Sequence, residues 1–247
     1  MSTVEFTFEW SRSFLDRLRS RGCRFRSYDQ PIEPGDVLLR HDVDLSPKRA
    51  LSLARIEHDL GIHATYFFLL GTPLYNPHQA PVRNAINGIA SLGHDVGLHF
   101  STHQYWPATR PPETESVVDA VRRERGVMEA IVPEVVPTVS FHVPPRWILR
   151  RTFEAFPSTY EPRFFEEIGY LADSGQRWRE GAPSLPDDES PVQVLMHPGL
   201  WGHEDATFVE RIRESVVEAD RRAAEYVRSR HLEPEQIRSR AIGPQEA

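Results

Sequence analysis

The chain has a single cysteine, Cys23, among its 247 residues. One cysteine forms no intrachain disulfide and no cysteine-rich zinc module, and it signals no cysteine nucleophile. The N-terminal residues also lack the basic segment, the apolar run and the small-residue cleavage site of a secretory signal. These absences lead us to expect a cytoplasmic protein.

A long apolar run and an excess of basic residues are also missing. No stretch approaches the length needed to cross a bilayer, so we expect no membrane insertion. Lys and Arg number 29 against 36 Asp and Glu, which gives a net charge of −7. This balance argues against nucleic acid or an anionic membrane surface as the main partner and leaves a small-molecule substrate open.

No internal repeat, low-complexity tract or linker divides the sequence. Apolar segments alternate with amphipathic segments of helical period, which predicts one α/β domain with a mainly parallel sheet. We expect this domain to span 1–247, with a core at about 36–230 and a flexible tail at about 235–247. The predicted strands are 37–44, 62–70, 93–100, 137–143, 168–172 and 192–196. The predicted helices are 8–22, 46–61, 80–92, 113–132 and a long helix from 205 onward.

The segment 37–44, VLLRHDVD, combines a predicted buried strand with charges at its carboxyl end. Side chains alternate along a strand, so Asp42 and Asp44 point the same way while His41 points to the other face. Two carboxylates on one face are costly unless a cation or strong donors intervene, and a metal ion would remove this cost. We interpret His41 as a packed, hydrogen-bonded histidine rather than a ligand.

His99 and His103 lie four residues apart where the third predicted strand ends. A tight turn there would aim both imidazoles at one point. Two histidines and one carboxylate, Asp42 or Asp44, leave a position open for water, which is typical of a catalytic divalent metal. By itself the pair is also compatible with ordinary polar residues at a strand exit, because isolated HxxxH pairs are common by chance.

Three motifs, in the correct order, resemble the polysaccharide deacetylases of the NodB-homology type, carbohydrate esterase family 4. HDVD at 41–44 is similar to the first motif of that family, GHDVGLHFSTH at 93–103 to the second and VLMHP at 194–198 to the last. The likeness extends from Leu38 to Trp201. It implies a distorted (β/α) barrel of about seven strands.

The resemblance also implies a role for each matching residue. Asp44, His99 and His103 would bind one divalent metal, with zinc as the preferred ion. Asp42 would be the general base. His197 would be the general acid that protonates the leaving amine.

Further residues are implied at the edge of this site. Asp173, in YLADSGQRW at 170–178, resembles the family's aspartate that supports the catalytic groups. Leu195 and Trp201 would line a pocket for an acetyl methyl group. Trp147 is either a platform for a sugar ring or a loop anchor.

Two positions depart from the family pattern. Val43 separates the two aspartates of the first motif, which are adjacent in the family, so the assignment of ligand and base between them can be reversed. In FHVPP at 141–145, His142 stands where the family carries an arginine. His142 would either orient the base in place of that arginine or contact the substrate. Two arginines are alternative substitutes, Arg146 and Arg177.

These features predict a hydrolase that uses one divalent metal to remove an N-acetyl group from an intracellular amino-sugar or glycan precursor. The metal would polarise the amide oxygen, a carboxylate would take a proton, and an imidazole would return one to the nitrogen. A first alternative is a hydrolase of another linear or cyclic amide, which His142 favours. A second alternative is a non-catalytic sugar-binding module on the same fold. The sequence leaves the oligomeric state open.

Overall fold

The computed structural model describes residues 4–184 and 189–232, so the expected tail from 235 onward lies outside the described residues. Within these residues, seven strands form one sheet. The strands are β1 (Arg24–Phe25), β2 (Asp36–Val43), β3 (Thr65–Leu69), β4 (Asp95–Phe100), β5 (Val139–Phe141), β6 (Gly169–Ala172) and β7 (Val192–Met196).

All paired strands are parallel, in the order β5-β4-β3-β2-β7-β6. The short β1 pairs with the beginning of β2, at Asp36 and Val37, and β3 pairs with β2 from Arg40 onward. β5 and β6 are edge strands, so the sheet is open. It curls into a half-barrel. The predicted α/β class and the distorted barrel of about seven strands are confirmed.

Helices connect the strands because each parallel crossover must return the chain to the same end of the sheet. They are α1 (Phe8–Ser20), α2 (Pro47–Asp59), α3 (Ala80–Ser91), α4 (Thr114–Glu129), α5 (Pro162–Phe165) and α6 (Phe208–Val227). Short 3₁₀ helices cover Thr102–Gln104, Ser174–Arg179 and Pro198–Leu200, and a π-helical turn covers Arg228–Leu232. None of the described helices is both long and apolar enough to span a membrane.

Four of the six predicted strands are shorter in the structure, whereas β2 keeps its predicted length and β7 its predicted bounds. β3 and β5 differ most, by four residues each, and β5 covers Val139–Phe141 where 137–143 was predicted. Pro137 has no backbone N–H to donate to the sheet. At the other end, Val143 leaves the extended conformation with a φ of +41°. The one-turn helix α5 was not predicted, because four residues show no helical period.

β2 is a central strand, and all eight of its residues are buried. Neighbouring strands on both sides and packed side chains on both faces cover it, which is why its residues 37–39 form an uninterrupted apolar run. On the face opposite Asp42, Nε2 of His41 lies 2.7 Å from Oε1 of Glu57, and the His41 ring stacks on Tyr66. Tyr66 donates its hydroxyl to the other oxygen of Glu57. The prediction that His41 is a packed, hydrogen-bonded histidine is confirmed.

Gly97 on β4 lies in a tightly packed part of the sheet, and its substitution tests this packing. It pairs in register with Phe67 of β3, and a Cβ added at Gly97 would lie 2.6 Å from Cδ1 of Phe67. We expect Gly97→Ala to lower the free energy of unfolding by roughly 1–3 kcal/mol, because a buried ring would have to move. Gly126→Ala in α4 is the matched control, since nothing lies within 4 Å of its added Cβ. Urea unfolding measures both variants, and the control should be more stable than the wild type by roughly 0.5–1 kcal/mol. A Gly97→Ala midpoint equal to that of the wild type would contradict this packing.

Candidate active site

The carboxyl ends of the parallel strands meet at one edge of the sheet, where α/β proteins place their ligand sites. β2 ends at Asp42 and Val43 and is followed by Asp44, and β4 contributes His99. His142 directly follows β5, and His197 directly follows β7. These polar side chains line a single cavity of about 420 Å³.

Among the described residues, Asp44, His99 and His142 bring three donor atoms together, and we call them the donor triangle. Oδ1 of Asp44 lies 3.1 Å from Nε2 of His99 and 3.1 Å from Nδ1 of His142. The two ring nitrogens are 3.2 Å apart. This spacing suits a single metal ion, because ligands bound about 2.0–2.1 Å from tetrahedral zinc lie about 3.3 Å from one another.

The carboxylate of Asp44 fits the role of a metal ligand. Its Oδ1 is buried and accepts no hydrogen bond of acceptable geometry from the described residues. Burial alone would raise the pKa of Asp44, but His142 and His99 lower it, and the pKa lies well below its usual range. The group therefore stays ionised, and a cation among the three donors would satisfy the orphaned oxygen. The residues present fit a divalent metal.

Ser140 on β5 holds His99 in one orientation. Nδ1 of His99 lies 2.8 Å from the Ser140 hydroxyl oxygen and 3.2 Å from the Ser140 carbonyl oxygen. A hydrogen on Nδ1 donates to these oxygens and leaves the lone pair of Nε2 free for a metal ion. The imidazole is thereby oriented as a metal ligand.

His103 does not join the donor triangle. It lies in the turn Thr102–Gln104, and its exposed Nε2 is 2.9 Å from the carbonyl oxygen of Val143. Val143 follows His142 and has a φ of +41°, a conformation that β-branched residues rarely adopt. The structure thus pairs His99 with His142 and not with the expected His103. Instead, His103 ties down the strained segment that presents His142.

Asp42 is held by an arginine from its own strand. Nε of Arg40 is 3.0 Å from Oδ1 of Asp42, and Nη2 is 2.7 Å from Oδ2. Both partners of this bidentate ion pair are buried. Burial would raise the pKa of Asp42, but Arg40 and then His99 lower it below its usual value. Residues 40 and 42 share one face of β2, so the strand itself sets the geometry of the pair.

The guanidinium of Arg40 has further partners that fix its position. Nη2 donates to the hydroxyl oxygens of Ser140 and Tyr160 at 2.8 and 2.9 Å, and the guanidinium carbon lies 4.6 Å from the centre of the Tyr160 ring. Ser140 donates its own hydroxyl to Oδ1 of Asp42 at 2.9 Å. One serine therefore links Arg40 and Asp42 to His99 of the donor triangle.

His197 forms a second charged pair, with Asp173. Nδ1 of His197 is 2.6 Å from Oδ1 of Asp173, and the same carboxylate accepts the backbone N–H of His197 and the indole N–H of Trp201. Burial would lower the pKa of His197, but Asp173 and Asp44 raise it to about 9. Nε2 of His197 faces Oδ2 of Asp44 at 3.9 Å. The imidazole is therefore charged at neutral pH.

The other residues expected at the site differ in where they lie. Leu195 lines the cavity. Trp201 is fully buried and reaches the site through its hydrogen bond to a carboxylate, not as a cavity wall. Arg146 and Arg177 are exposed, so neither supplies the arginine that pairs with the base. Trp147 donates its indole N–H to a loop carbonyl oxygen 3.1 Å away and does not contribute to the cavity lining described.

Three residues of the site were not predicted from the sequence: Arg40, Ser140 and Tyr160. Arg40 did leave a signal, because an arginine inside a predicted buried strand needs a partner and Asp42 lies two residues away on the same face. Ser140 and Tyr160 left no comparable signal, since their contacts are made across the sheet and follow from no local pattern.

No protein-family model matches the chain, and no curated protein matches its sequence. Solved structures do match it. One is a family 4 carbohydrate esterase from Bacillus anthracis, with 14% identity, 87% of each chain covered and a TM-score of 0.43. Another is the chitin deacetylase from the fungal pathogen Colletotrichum lindemuthianum, with 14% identity, 77% of this chain and 84% of that chain covered and a TM-score of 0.45.

A third match is a family 4 pseudoenzyme from Bacillus anthracis, with 15% identity, 75% of this chain and 60% of that chain covered and a TM-score of 0.42. The two Bacillus anthracis structures belong to carbohydrate esterase family 4, the family that the sequence motifs resemble, and the fungal one is a deacetylase. Because the identities are low and the TM-scores lie below 0.5, these matches assign no chemistry to the site.

The buried pair of Arg40 and Asp42 leads to a prediction about stability. Arg40→Met and Asp42→Asn each leave one buried charge without its partner, and each should lower the free energy of unfolding by roughly 3–5 kcal/mol. The double variant removes both charges, so its loss should be smaller than the sum of the two single losses by roughly 1–3 kcal/mol. Chemical denaturation of the four proteins gives this coupling energy, and strictly additive losses would contradict the pair.

Proposed function

We propose that the protein is a metal-dependent hydrolase that removes an N-acyl group from a small substrate, in the simplest case an N-deacetylase. One observation carries this proposal: the donor triangle, the paired carboxylate of Asp42 and the paired imidazole of His197 line the same cavity. Hydrolysis of an amide needs three functions, which are an electrophile for the carbonyl oxygen, a base and an acid.

In this proposal Asp44, His99 and His142 hold the metal, so that His142 replaces His103 in the ligand set expected from the sequence. A divalent metal bound there would polarise the amide carbonyl and activate a water molecule. Two nitrogens and one oxygen suit zinc. Ser140 supports this ligand set because it engages the other ring nitrogen of His99, and His103 supports it by holding the segment after His142.

Asp42 is the proposed general base. Its Oδ1 accepts hydrogen bonds from both Arg40 and Ser140. Its Oδ2 accepts from Arg40 and lies 3.7 Å from Nε2 of His99, on the side of the donor triangle. The ion pair keeps the carboxylate charged and fixed, which leaves the second lone pair of Oδ2 to take a proton from an attacking water.

His197 is the proposed general acid. Its Nδ1 is engaged by Asp173, so the proton on Nε2 is the one available for donation into the cavity. An amine is a poor leaving group until its nitrogen is protonated, and a held imidazolium supplies that proton. A sugar-binding module would need no such donor, so the Asp173–His197 pair disfavours a non-catalytic role.

The motifs of the sequence favour an intracellular acetylated amino sugar or glycan precursor as the first candidate for the substrate. A hydrolase of another small linear or cyclic amide is the second candidate, since the same groups would serve it. The apolar side chains on the cavity walls, including Leu195 and Phe208, favour this second candidate.

Zinc affinity should depend on His142 much more than on His103. We expect the protein to bind about one zinc ion per chain. His142→Ala removes one of three donors and should weaken zinc binding by at least roughly tenfold, whereas His103→Ala should keep the stoichiometry and lose only a few-fold in affinity. Competition with a chromophoric chelator measures both. Loss of zinc in His103→Ala with retention in His142→Ala would contradict the donor triangle.

Hydrolysis should depend on both proposed proton-transfer residues. In the zinc-loaded enzyme, Asp42→Asn and His197→Ala should each lower acetate release from N-acetylglucosamine by roughly 10²–10⁴-fold, because each removes one proton transfer. Their zinc content should stay close to that of the wild type. His58→Ala, a change at an exposed histidine on α2, is the control and should keep full activity. Unchanged turnover in both test variants would rule out these roles.

A further inference from the structure

We propose, on the basis of the function proposed above, that the substrate is a small amide bearing an apolar group larger than methyl beside the bond that is cleaved. The walls of the catalytic cavity carry this inference. Acetyl, with its single methyl group, would enter the cavity but is not the acyl group that fits it best.

The polar lining of the cavity is confined to a few groups. Apart from the proposed hydrolytic residues, it consists of Ser174 and of Tyr160, whose hydroxyl already accepts from Arg40. Elsewhere the wall is formed mainly by apolar side chains. Six of these come from the segment after β2, from β5, β7 and the turn after it, and from α6: Leu45, Phe141, Leu195, Leu200, Phe208 and Ile212.

Such a wall discriminates between sugar rings and hydrocarbon groups. A sugar hydroxyl that leaves water to pack against these apolar side chains gains no hydrogen bond from them, which weakens binding. A methylene group buried there strengthens binding by about fourfold, because it leaves water for an apolar contact. The cavity therefore favours a hydrocarbon group close to the hydrolytic residues.

The mouth of the cavity is apolar as well. Phe208 and Ile212 lie four residues apart on α6, so they share a face of the helix. Phe208 is 41% exposed and Val143, which also lines the cavity, is 64% exposed. Large apolar side chains exposed at the rim of a cavity are typical of a site for an apolar ligand. The volume of about 420 Å³ lies at the lower end of the roughly 300–1,000 Å³ of ligand pockets, which fits one small molecule.

A binding experiment tests the apolar wall without turnover. The zinc-loaded protein is titrated by calorimetry with acetohydroxamic, butanohydroxamic and hexanohydroxamic acid, whose hydroxamate groups bind zinc. We expect the affinity to rise by at least about tenfold from the first acid to the last. Equal or falling affinity along this acyl series, together with no rise along the amine series below, would overturn the proposal.

Two substrate series distinguish the acyl side from the amine side. N-acetyl-, N-butanoyl- and N-hexanoylglucosamine vary the acyl group, whereas N-methyl-, N-butyl- and N-hexylacetamide vary the amine. We expect kcat/KM to rise with chain length in one series. If the shortest member is fastest in both, the proposal fails and the hydrolase function stands. If no amide is cleaved while the longer hydroxamic acids bind more tightly, the hydrolase function fails and the apolar site stands.

A variant at the rim of the cavity tests whether Phe208 contributes to the tighter binding of longer hydroxamic acids. Phe208→Ser should lower the ratio of hexanohydroxamic to acetohydroxamic acid affinity by at least about threefold. Val217→Ser on the same helix is the matched control, because Val217 is 66% exposed and is not part of the cavity lining described. Val217→Ser should keep the wild-type ratio. An unchanged ratio in Phe208→Ser would contradict the role of α6 in the site.

Discussion

The ion pair between Arg40 and Asp42 is the interaction on which the rest of the site depends. β2 is buried along its whole length and leads to two carboxylates on one face, Asp42 and Asp44, which would repel each other if neither had a partner. Arg40 neutralises Asp42 through two hydrogen bonds within the same strand. Asp44 is then left to the imidazoles of the donor triangle, so two identical groups acquire different environments.

The same ion pair affects which residue is needed in the loop after β5. With Arg40 holding Asp42 from within β2, residue 142 has no need to be an arginine, and the histidine there turns toward Asp44. His103 bonds the carbonyl oxygen of Val143 and holds the strained segment in which His142 lies. The strand arginine, the loop histidine and the anchoring histidine therefore form one connected arrangement.

Much of the fold could be predicted, because buried parallel strands are continuous apolar runs and their connecting helices show a 3.6-residue period. The gathering of polar residues at the strand ends follows from that topology. The position of His142 beside Asp44 and His99, where His103 was expected, could not be predicted, because it depends on the backbone of Val143 and on the pairing of β4 with β5. The role of Ser140 could not be predicted for the same reason. Arg40 could have been inferred from its burial and its spacing from Asp42.

In the proposed site Asp42 and Asp44 have different partners, an arginine for Asp42 and a metal for Asp44. Anomalous diffraction at the zinc edge, from a crystal of the zinc-loaded protein, tests this division most directly. We predict a single ion bonded to the three residues of the donor triangle, with Asp42 still paired to Arg40. An ion bonded to His103, or an Asp42 that has left Arg40 to bind the metal, would contradict it.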